Sequence, residues 1–282
     1  MMSAVGMTNK RAQEIISCGK DPKYFINKYV FIQHPIRGTI KFDTFPFQDE
    51  CLDDFVKHRF NIILKSRQMG LSTLSAAYSV WLAIFRRDKN ILVIATKLKT
   101  AQNFIRKVKV IIRKMPKWLM LPEITGNNKQ EIQFSNGSVI QAIPTSDDAG
   151  RSEALSLAII DEAAFIRNFD IIWTSLYSTL STGGRGIILS TPNGVGDKYH
   201  ELYSHAELGE NEFNPIKLPW DLHPERDEKW FANETKNMSR KQIAQELMCD
   251  FTTSGNTFIS NETINSLLYH VQEPIERSGP GS

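Results

Sequence analysis

Short apolar runs alternate along the chain with longer stretches in which apolar residues recur at helical spacing. Four runs are apolar on both faces, a pattern typical of strands buried in a parallel sheet: residues 61–64, 91–95, 157–160 and 187–189. The stretches between these runs have the lengths of helical crossover connections. The pattern predicts an α/β fold with a mostly parallel central sheet flanked by helices.

Two departures from this alternation are expected. The runs 132–134 and 139–143 flank Asn136-Gly137, a dipeptide that favours tight hairpin turns, so we expect one antiparallel excursion before the third buried strand. After about residue 200 the sequence is more polar, with several prolines followed by a helical stretch over 239–249. This C-terminal part is interpreted as a small flanking lid subdomain.

The composition is that of a globular protein. The 282 residues are 41% apolar, and 34 Lys plus Arg against 31 Asp plus Glu leave a net charge of +3, too small for a general nucleic-acid coat. Three cysteines without paired spacing argue against a disulfide scaffold, a zinc ribbon and a redox Cys-x-x-Cys site. The most apolar stretch, 76–85, has about half the length of a membrane span. We therefore expect an intracellular protein that does not cross a membrane.

A glycine-containing loop links the first buried strand to a helical pattern. The segment 65–73 reads Lys-Ser-Arg-Gln-Met-Gly-Leu-Ser-Thr, and a strand, a tight loop and a helix in this order aim backbone N–H groups at phosphate oxygens. We call residues 65–73 the phosphate loop. Its candidate nucleotide-contacting residues are Lys65, Ser66, Arg67, Gln68, Met69, Gly70, Leu71, Ser72 and Thr73.

The phosphate loop departs from the usual pattern GxxxxGKS/T, because Leu71 stands at the lysine position and Lys65 at the first glycine position. Transfer of a phosphoryl group needs a cation near the β- and γ-phosphates. Lys65 is the nearest candidate for that charge. The alternative is an ordinary strand-to-helix turn in which Lys65 has no catalytic role.

Two adjacent acids, Asp161 and Glu162, end the third buried strand. At a strand tip Asp161 is expected to hold Mg²⁺ through water, with the Ser72 hydroxyl as a further ligand, while Glu162 polarises the attacking water. Acid pairs after apolar runs also occur without any catalytic role. This pair follows the phosphate loop by about 90 residues, which favours the catalytic interpretation.

Two shorter motifs accompany the loop and the acid pair. Ser190-Thr-Pro-Asn-Gly194 follows the fourth buried strand, where small hydroxyl residues can link a nucleotide site to a moving segment, although the same residues also form simple turns. Gln48 lies upstream of the loop, and its side-chain amide can donate to and accept from an adenine edge.

In this order the motifs resemble the ATPase domain of the large terminase subunit, the DNA-packaging motor of tailed double-stranded-DNA bacteriophages. The phosphate loop is similar to that family's Walker A motif, in the variant that has lysine at the start. The segment 160–165 is similar to its Walker B motif, and the segment 190–194 is similar to its coupling motif. The resemblance runs from about residue 22 to residue 258. It implies a RecA-like P-loop NTPase of the ASCE class that uses ATP and Mg²⁺ to drive double-stranded DNA into a procapsid.

The resemblance also assigns roles to residues. Gln48 falls at the adenine-binding Q motif, Thr191 and Asn193 lie in the coupling motif, and Arg151 lies in the segment that supplies an arginine finger to the neighbouring subunit. The alternative for Arg151 is a surface arginine without nucleotide contact. Arg67, inside the loop, is expected to sense or stabilise the γ-phosphate, with an interface salt bridge as its alternative. The expected catalytic residues are Glu162, Arg151, Arg67 and Lys65, and the expected metal ligands are Ser72 and Asp161.

The implied partners are double-stranded DNA, the portal protein, the small terminase subunit and further copies of the chain in a ring, expected to be a pentamer, in the host cell cytoplasm. The predicted division is an N-terminal flanking segment at 1–60, the ATPase core at 61–200, the flanking subdomain at 201–260 and a linker or appended tail at 261–282. Only about 20 residues follow Phe258, too few for the family's RNase H-like nuclease. The sequence therefore predicts a motor fragment without its nuclease. The isolated fragment is expected to be a monomer.

A basic helix is predicted within 97–117, which carries eight cations and no acid. Its apolar face comprises Phe104, Val108, Ile111, Ile112 and Met115, and its opposite face Arg106, Lys107, Lys109, Arg113, Lys114 and Lys117. The basic face is either a surface for a phosphate backbone or a partner, or a solvated charged face.

Two alternatives to a packaging motor remain open from the sequence. A superfamily 2 helicase shares the Gln, loop and Asp-Glu motifs, but it needs a second RecA-like domain for which the residues after 200 are too few. A nucleotide-binding scaffold would have lost hydrolysis through the leucine at position 71. Measured ATP turnover distinguishes the motor from the scaffold.

Overall fold

An eight-stranded sheet forms the centre of the computed structural model, which describes residues 9–146 and 154–255. The strands of this part of the chain are β1 Phe31–His34, β2 Gly38–Lys41, β3 Phe60–Lys65, β4 Asn90–Ala95, β5 Ile124–Asn127, β6 Glu131–Phe134, β7 Val139–Pro144, β8 Leu157–Asp161, β9 Arg185–Ser190 and β10 Phe213–Leu218. β1 and β2 form a separate antiparallel pair, and the other strands follow the order β10-β3-β9-β8-β4-β7-β6-β5.

Six neighbouring strands of the sheet, from β10 to β7, run parallel, and β6 and β5 complete the far edge in antiparallel pairing. The α-helices of the described residues are α1 Asn9–Lys20, α2 Pro22–Tyr29, α3 Pro46–Lys57, α4 Leu71–Phe85, α5 Leu98–Lys114, α6 Phe169–Thr179, α7 Lys198–Glu207, α8 Glu228–Glu234, α9 Arg240–Ile243 and α10 Phe251–Ser254. A π-helical turn, Ala244–Met248, continues α9.

Successive side chains of the parallel strands point to opposite faces of the sheet, and each face has its own apolar cluster. Ile63 and Val93 pack with the cluster of α2 to α5, whereas Ile62 and Ile94 pack with that of α6 and α7. All residues of β3 and β8 are buried, because helices cover both faces of these strands.

The strands that carry the three main motifs are neighbours in the sheet. β9 lies between β3 and β8, with Ser190 paired to Leu64 and Leu189 paired to Asp161. Because these strands are parallel, the phosphate loop, Asp161 and Ser190 come to the same edge of the sheet, where ligands bind in open α/β folds.

The predicted α/β fold is confirmed, including the four buried strands and the hairpin, whose turn places Gly137 at φ +81°. The pattern did not reveal β10, since Pro215 interrupts it and suggested a turn. A proline is tolerated there because β10 is an edge strand. The division at residue 200 stays a prediction, although β10 lies beyond it and pairs with β3. No helix among the described residues has both the length and the apolarity needed to span a bilayer.

Candidate nucleotide-binding site

A cleft of about 870 Å³ lies over the phosphate loop at the carboxyl edge of the sheet. We call it the loop cleft. Its walls are formed by the phosphate loop, the end of β1, the basic helix α5, the turn at Glu162 and the C-terminal segment. Its lining comprises Lys65, residues 67–73, residues 32–35, Lys107, Glu162, Phe165, Thr191 and Glu246. Of the residues predicted to contact nucleotide, Gln48, Ser66 and Asn193 lie outside this lining. Arg151 lies outside the described residues.

The phosphate loop turns tightly between β3 and α4. Gly70 has φ +75°, a backbone conformation that favours glycine, and it immediately precedes the first residue of α4. A Cβ atom on Gly70 would lie 2.6 Å from Gln48 Nε2, so a side chain there would displace Gln48. The first three residues of α4 line the cleft. The N–H groups in the first turn of a helix lack intrahelical partners, so this end of α4 favours binding of an anion.

Lys65 and Leu71 are both buried, but only Lys65 brings a charge. Leu71 is 1% exposed and belongs to the apolar cluster around α4, so it contributes packing. Lys65 ends β3, is 7% exposed and lines the loop cleft. This position supports the predicted charge-neutralising role of Lys65, which stays a prediction.

Ser72 and Asp161 are directly joined. Ser72 Oγ donates a hydrogen bond to Asp161 Oδ2 at 2.6 Å, and the aspartate is 6% exposed. The other carboxylate oxygen, Asp161 Oδ1, is buried and has no hydrogen-bond partner among the residues that the structure describes. Mg²⁺ prefers oxygen ligands, and this site offers a carboxylate oxygen without a partner next to a hydroxyl group. Asp161 and Ser72 therefore fit the predicted metal ion.

Glu162 has a left-handed backbone, with φ 62° and ψ 42°, between β8 and a 3₁₀ turn over Ala163–Phe165. This conformation is uncommon for glutamate, and such residues cluster at functional sites. Burial raises the pKa of Glu162, the nearby Lys65 lowers it, and Asp161 raises it again. The structure thus brings together the acid predicted to polarise water, the loop lysine and the aspartate predicted to bind the metal.

Arg67 pairs within the chain. Its side chain is 67% exposed, and Nη1 lies 3.6 Å from Glu246 Oε2 in the π-helical turn. The backbone N–H of Arg67 also donates to the carbonyl oxygen of Glu246 at 2.6 Å. A phosphate in the loop cleft would compete with Glu246 for the guanidinium, and the predicted sensing role of Arg67 stays a prediction.

The segment 190–194 connects two parts of the site. Ser190 Oγ accepts a hydrogen bond from the Ala164 N–H at 3.1 Å, and Asn193 Nδ2 donates to the Ala164 carbonyl oxygen at 3.1 Å. Asn193 Oδ1 in turn accepts from Gln245 Nε2 at 3.4 Å. The side-chain amide of Asn193 therefore links the turn after β8 to the C-terminal segment, which is a physical basis for coupling between them.

Gln48 holds the phosphate loop from outside the cleft. The residue is 2% exposed, its Nε2 donates to the Met69 carbonyl oxygen at 2.9 Å, and its Oε1 accepts from the Phe45 N–H at 3.1 Å. Both ends of the amide thus have backbone partners within the described residues. The geometry supports a role in shaping the loop, and adenine recognition by Gln48 stays a prediction.

Sequence analysis missed Arg226, which contacts the phosphate loop from the C-terminal part. Its guanidinium donates to Ser66 Oγ at 3.2 Å and to the carbonyl oxygens of Arg67 and Gln68 at 3.0 and 3.1 Å. The same group lies 4.6 Å from the centre of the Trp230 ring, a cation–π contact. Arg226 also contacts Met69 Sδ at 3.5 Å, so two of its four loop partners are backbone oxygens. Because these partners lie about 160 residues away in sequence, no local motif could reveal the contact.

We expect Arg226→Ala to lower kcat/KM for ATP by about tenfold to a hundredfold, because hydrogen bonds from a charged donor fix the loop and contribute about 1.5–3 kcal/mol. Arg226→Lys keeps the charge without the forked geometry and should fall between the variant and the wild type. Steady-state phosphate release measures the effect.

The matched control for Arg226 is Arg240→Ala, which removes an exposed arginine from the same C-terminal part and should not change kcat/KM. Thermal unfolding of each variant is measured in parallel. A positioning role predicts loss of kcat/KM in a protein that is folded at the assay temperature, and equal kinetics for the two alanine variants would contradict it.

The basic face predicted for α5 is exposed to different degrees. Arg106, Arg113, Lys114 and Lys117 are exposed, whereas Lys109 is partly buried. Lys107, which the pattern placed on the same face, is also partly buried and lines the loop cleft. It lies three residues after Phe104 and four before Ile111, both buried, and therefore borders the apolar stripe of the helix.

Comparison with known families gives one match of long extent. Residues 62–266 match the family described as "Terminase large subunit, T4likevirus-type, N-terminal". The matched range covers more than half of the chain and includes the phosphate loop, the Asp161-Glu162 pair and the segment 190–194.

Several solved structures share the fold. The ATPase domain of the Thermus phage P74-26 large terminase, in a mutant form, is 17% identical with a TM-score of 0.62 and covers 75% of this chain and 95% of that chain. The HK97 bacteriophage large terminase is 20% identical with a TM-score of 0.57, and the match covers 80% of this chain and 50% of the HK97 chain. The large terminase of a thermophilic bacteriophage in complex with ADP is 11% identical with a TM-score of 0.61, over 74% of this chain and 54% of its own. The chain thus spans nearly all of the ATPase domain and about half of the other two proteins, and the expected P-loop NTPase fold is confirmed.

Proposed function

The chain belongs to the family of N-terminal domains of large terminase subunits, and from this premise we propose that it is the ATP-hydrolysing domain that drives double-stranded DNA into a viral procapsid. The observation that carries the proposal is the hydrogen bond between Ser72 of the phosphate loop and Asp161 at the tip of β8. It joins two motifs that are distant in sequence at the edge where Glu162 and Lys65 also lie.

Each residue of the loop cleft has a part in the proposed reaction. The loop N–H groups at the start of α4 hold the phosphate oxygens, and Lys65 neutralises the charge that develops on the transferred group. Glu162 accepts a hydrogen bond from the attacking water and orients it, as the polarising residue does in related NTPases. Glu162 is partly buried and lines the loop cleft together with Lys65.

Ser72 and Asp161 are the residues that would hold Mg²⁺. Bound there, Mg²⁺ would supply positive charge that offsets the negative charge of the phosphates. The orphaned Asp161 Oδ1 and the Ser72 hydroxyl are the groups of this chain available to it. The complex of a related large terminase with ADP supports binding of an adenine nucleotide at such a fold.

The proposed partners follow from the family. Double-stranded DNA is the proposed substrate of translocation, with the portal protein, the small terminase subunit and further copies of the chain as the remaining parts of a motor that works in the host cytoplasm. In a ring, Arg151 is the proposed finger that enters a neighbouring site. Arg67 is the proposed sensor, since its pairing with Glu246 at 3.6 Å is a contact that a bound γ-phosphate can replace.

The family match does not favour the helicase alternative. The scaffold alternative rests on the leucine at position 71. Lys65 supports hydrolysis instead, because this lysine at the end of β3 lines the same loop cleft as Leu71.

The test of the proposed function is phosphate release by the full chain with MgATP, with and without double-stranded DNA. Multiple turnovers per molecule are expected, together with no separation of a forked duplex. Tight ATP binding without any release of phosphate would favour the scaffold, and ATP-dependent strand separation would favour the helicase.

A further inference from the structure

The loop cleft contains a second lysine that belongs to none of the sequence motifs. Lys107 reaches the cleft from α5 and lines it together with Lys65, Ser72 and Glu162. The residue is partly buried, in contrast to the neighbouring cation Arg106, which is exposed. A charged side chain that lines a cavity beside the phosphate loop requires a physical explanation.

No described residue neutralises Lys107 directly. No hydrogen bond or ion pair holds its ammonium group within residues 9–146 and 154–255. Burial lowers its pKa, Asp161 raises it, and Lys65 lowers it. Asp161 attracts Lys107 electrostatically, but its one hydrogen bond to a side chain among the described residues comes from Ser72, so Lys107 has no direct partner there. Burying an unpaired charge is unfavourable, which makes a bound anion the natural counterpart.

The other cations of α5 do not share this environment. Lys109 donates a hydrogen bond to the Asn128 carbonyl oxygen at 2.7 Å, and Lys114 is exposed at the end of the helix. Lys107 is therefore distinct from the exposed basic surface of α5, and the anion that suits it is one that occupies the loop cleft.

We propose that Lys107 binds the phosphate chain of ATP and supplies, from α5, part of the positive charge that Leu71 cannot provide. The inference rests on the proposed function, since it names a further ligand-binding residue of the same site. It also explains how a site with leucine at the usual lysine position can place two lysines beside the phosphates, Lys65 from β3 and Lys107 from α5.

The test compares Lys107→Gln with Lys114→Gln, since each removes one positive charge from the same helix. The affinity for MgATP is measured by calorimetry on the full chain. Lys107→Gln should weaken binding by about tenfold to a hundredfold, the effect of losing a hydrogen bond to a charged group, while Lys114→Gln should bind as the wild type does. Lys107→Arg should retain most of the affinity.

Thermal unfolding separates this role from a structural one. Without nucleotide, Lys107→Gln should unfold at the same temperature as the wild type or above it, because an unpaired buried charge is removed. The increase in Tm on adding MgATP should be smaller for Lys107→Gln than for Lys114→Gln.

Equal ATP affinities in Lys107→Gln and Lys114→Gln would overturn the inference, as would a loss confined to DNA binding. Such a result leaves the proposed function intact as long as the wild type binds and hydrolyses ATP. A wild-type chain that does not bind ATP would instead reject the proposed function, and this inference with it.

Discussion

Glu162→Gln is expected to bind MgATP with nearly wild-type affinity and to hydrolyse it about a hundredfold to ten-thousandfold more slowly, the range for loss of a positioned acid or base. The glutamine keeps the size of the side chain but loses the carboxylate that polarises water. Lys65, Ser72 and Asp161 are unchanged, so the contacts proposed for the phosphates remain. Nucleotide affinity and phosphate release in a single turnover measure the two effects separately.

Two further variants make the result for Glu162 specific. Asp161→Asn should weaken magnesium-dependent nucleotide binding as well as turnover, because Asp161 Oδ1 is the carboxylate oxygen available to the metal. Glu225→Gln removes an exposed acid from the C-terminal part and should match the wild type in both assays. Wild-type turnover in Glu162→Gln would exclude Glu162 from the reaction.

The sheet could be predicted because its central strands are apolar on both faces. Residues 61–64 and 157–160 have no polar alternation, so the sequence itself required helices above and below them. β5 was not predictable in the same way, since most of its residues are exposed and it lies at the edge of the sheet. An edge strand is defined by its pairing partner, which a local pattern does not contain.

The candidate site was predictable where it consists of consecutive residues. The phosphate loop and the Asp161-Glu162 pair each follow a buried strand, and parallel strands bring them to one edge. Arg226 and Lys107 were not predicted, for different reasons. Arg226 binds atoms far away in sequence. Lys107 was placed on the basic face of α5, and the one signal for its position in the cleft was its spacing from buried residues of that helix.

The phosphate loop depends on the C-terminal part for its shape. Arg226 binds its carbonyl oxygens, Glu246 accepts from the Arg67 N–H, and Leu218 accepts from the Ser66 N–H at 2.8 Å. These contacts attach the loop to segments on both sides of α8. A ligand that moves the phosphate loop would therefore also move or strain the C-terminal part. In this way nucleotide binding in the proposed motor could cause a movement of the C-terminal part.

Lys65→Ala is expected to lower kcat for ATP by about a hundredfold to a thousandfold, the effect of removing one group that stabilises transition-state charge. Lys65 is 7% exposed and lines the loop cleft. Because little water reaches this position, solvent cannot compensate for the loss of its positive charge. Lys65→Arg should retain part of the activity. The control Lys217→Ala removes an exposed lysine from the adjacent strand β10 and should leave kcat unchanged.

The two lysines of the loop cleft should fail in different ways. If Lys65 acts on the transferred phosphoryl group, its removal lowers kcat more than it weakens ATP binding, whereas loss of Lys107 raises KM. The position of each side chain supports this difference, because Lys65 ends the strand that leads into the phosphate loop, while Lys107 approaches from a separate helix. A Lys65→Ala protein with wild-type kcat would contradict the prediction and show that Lys65 does not neutralise charge in the reaction.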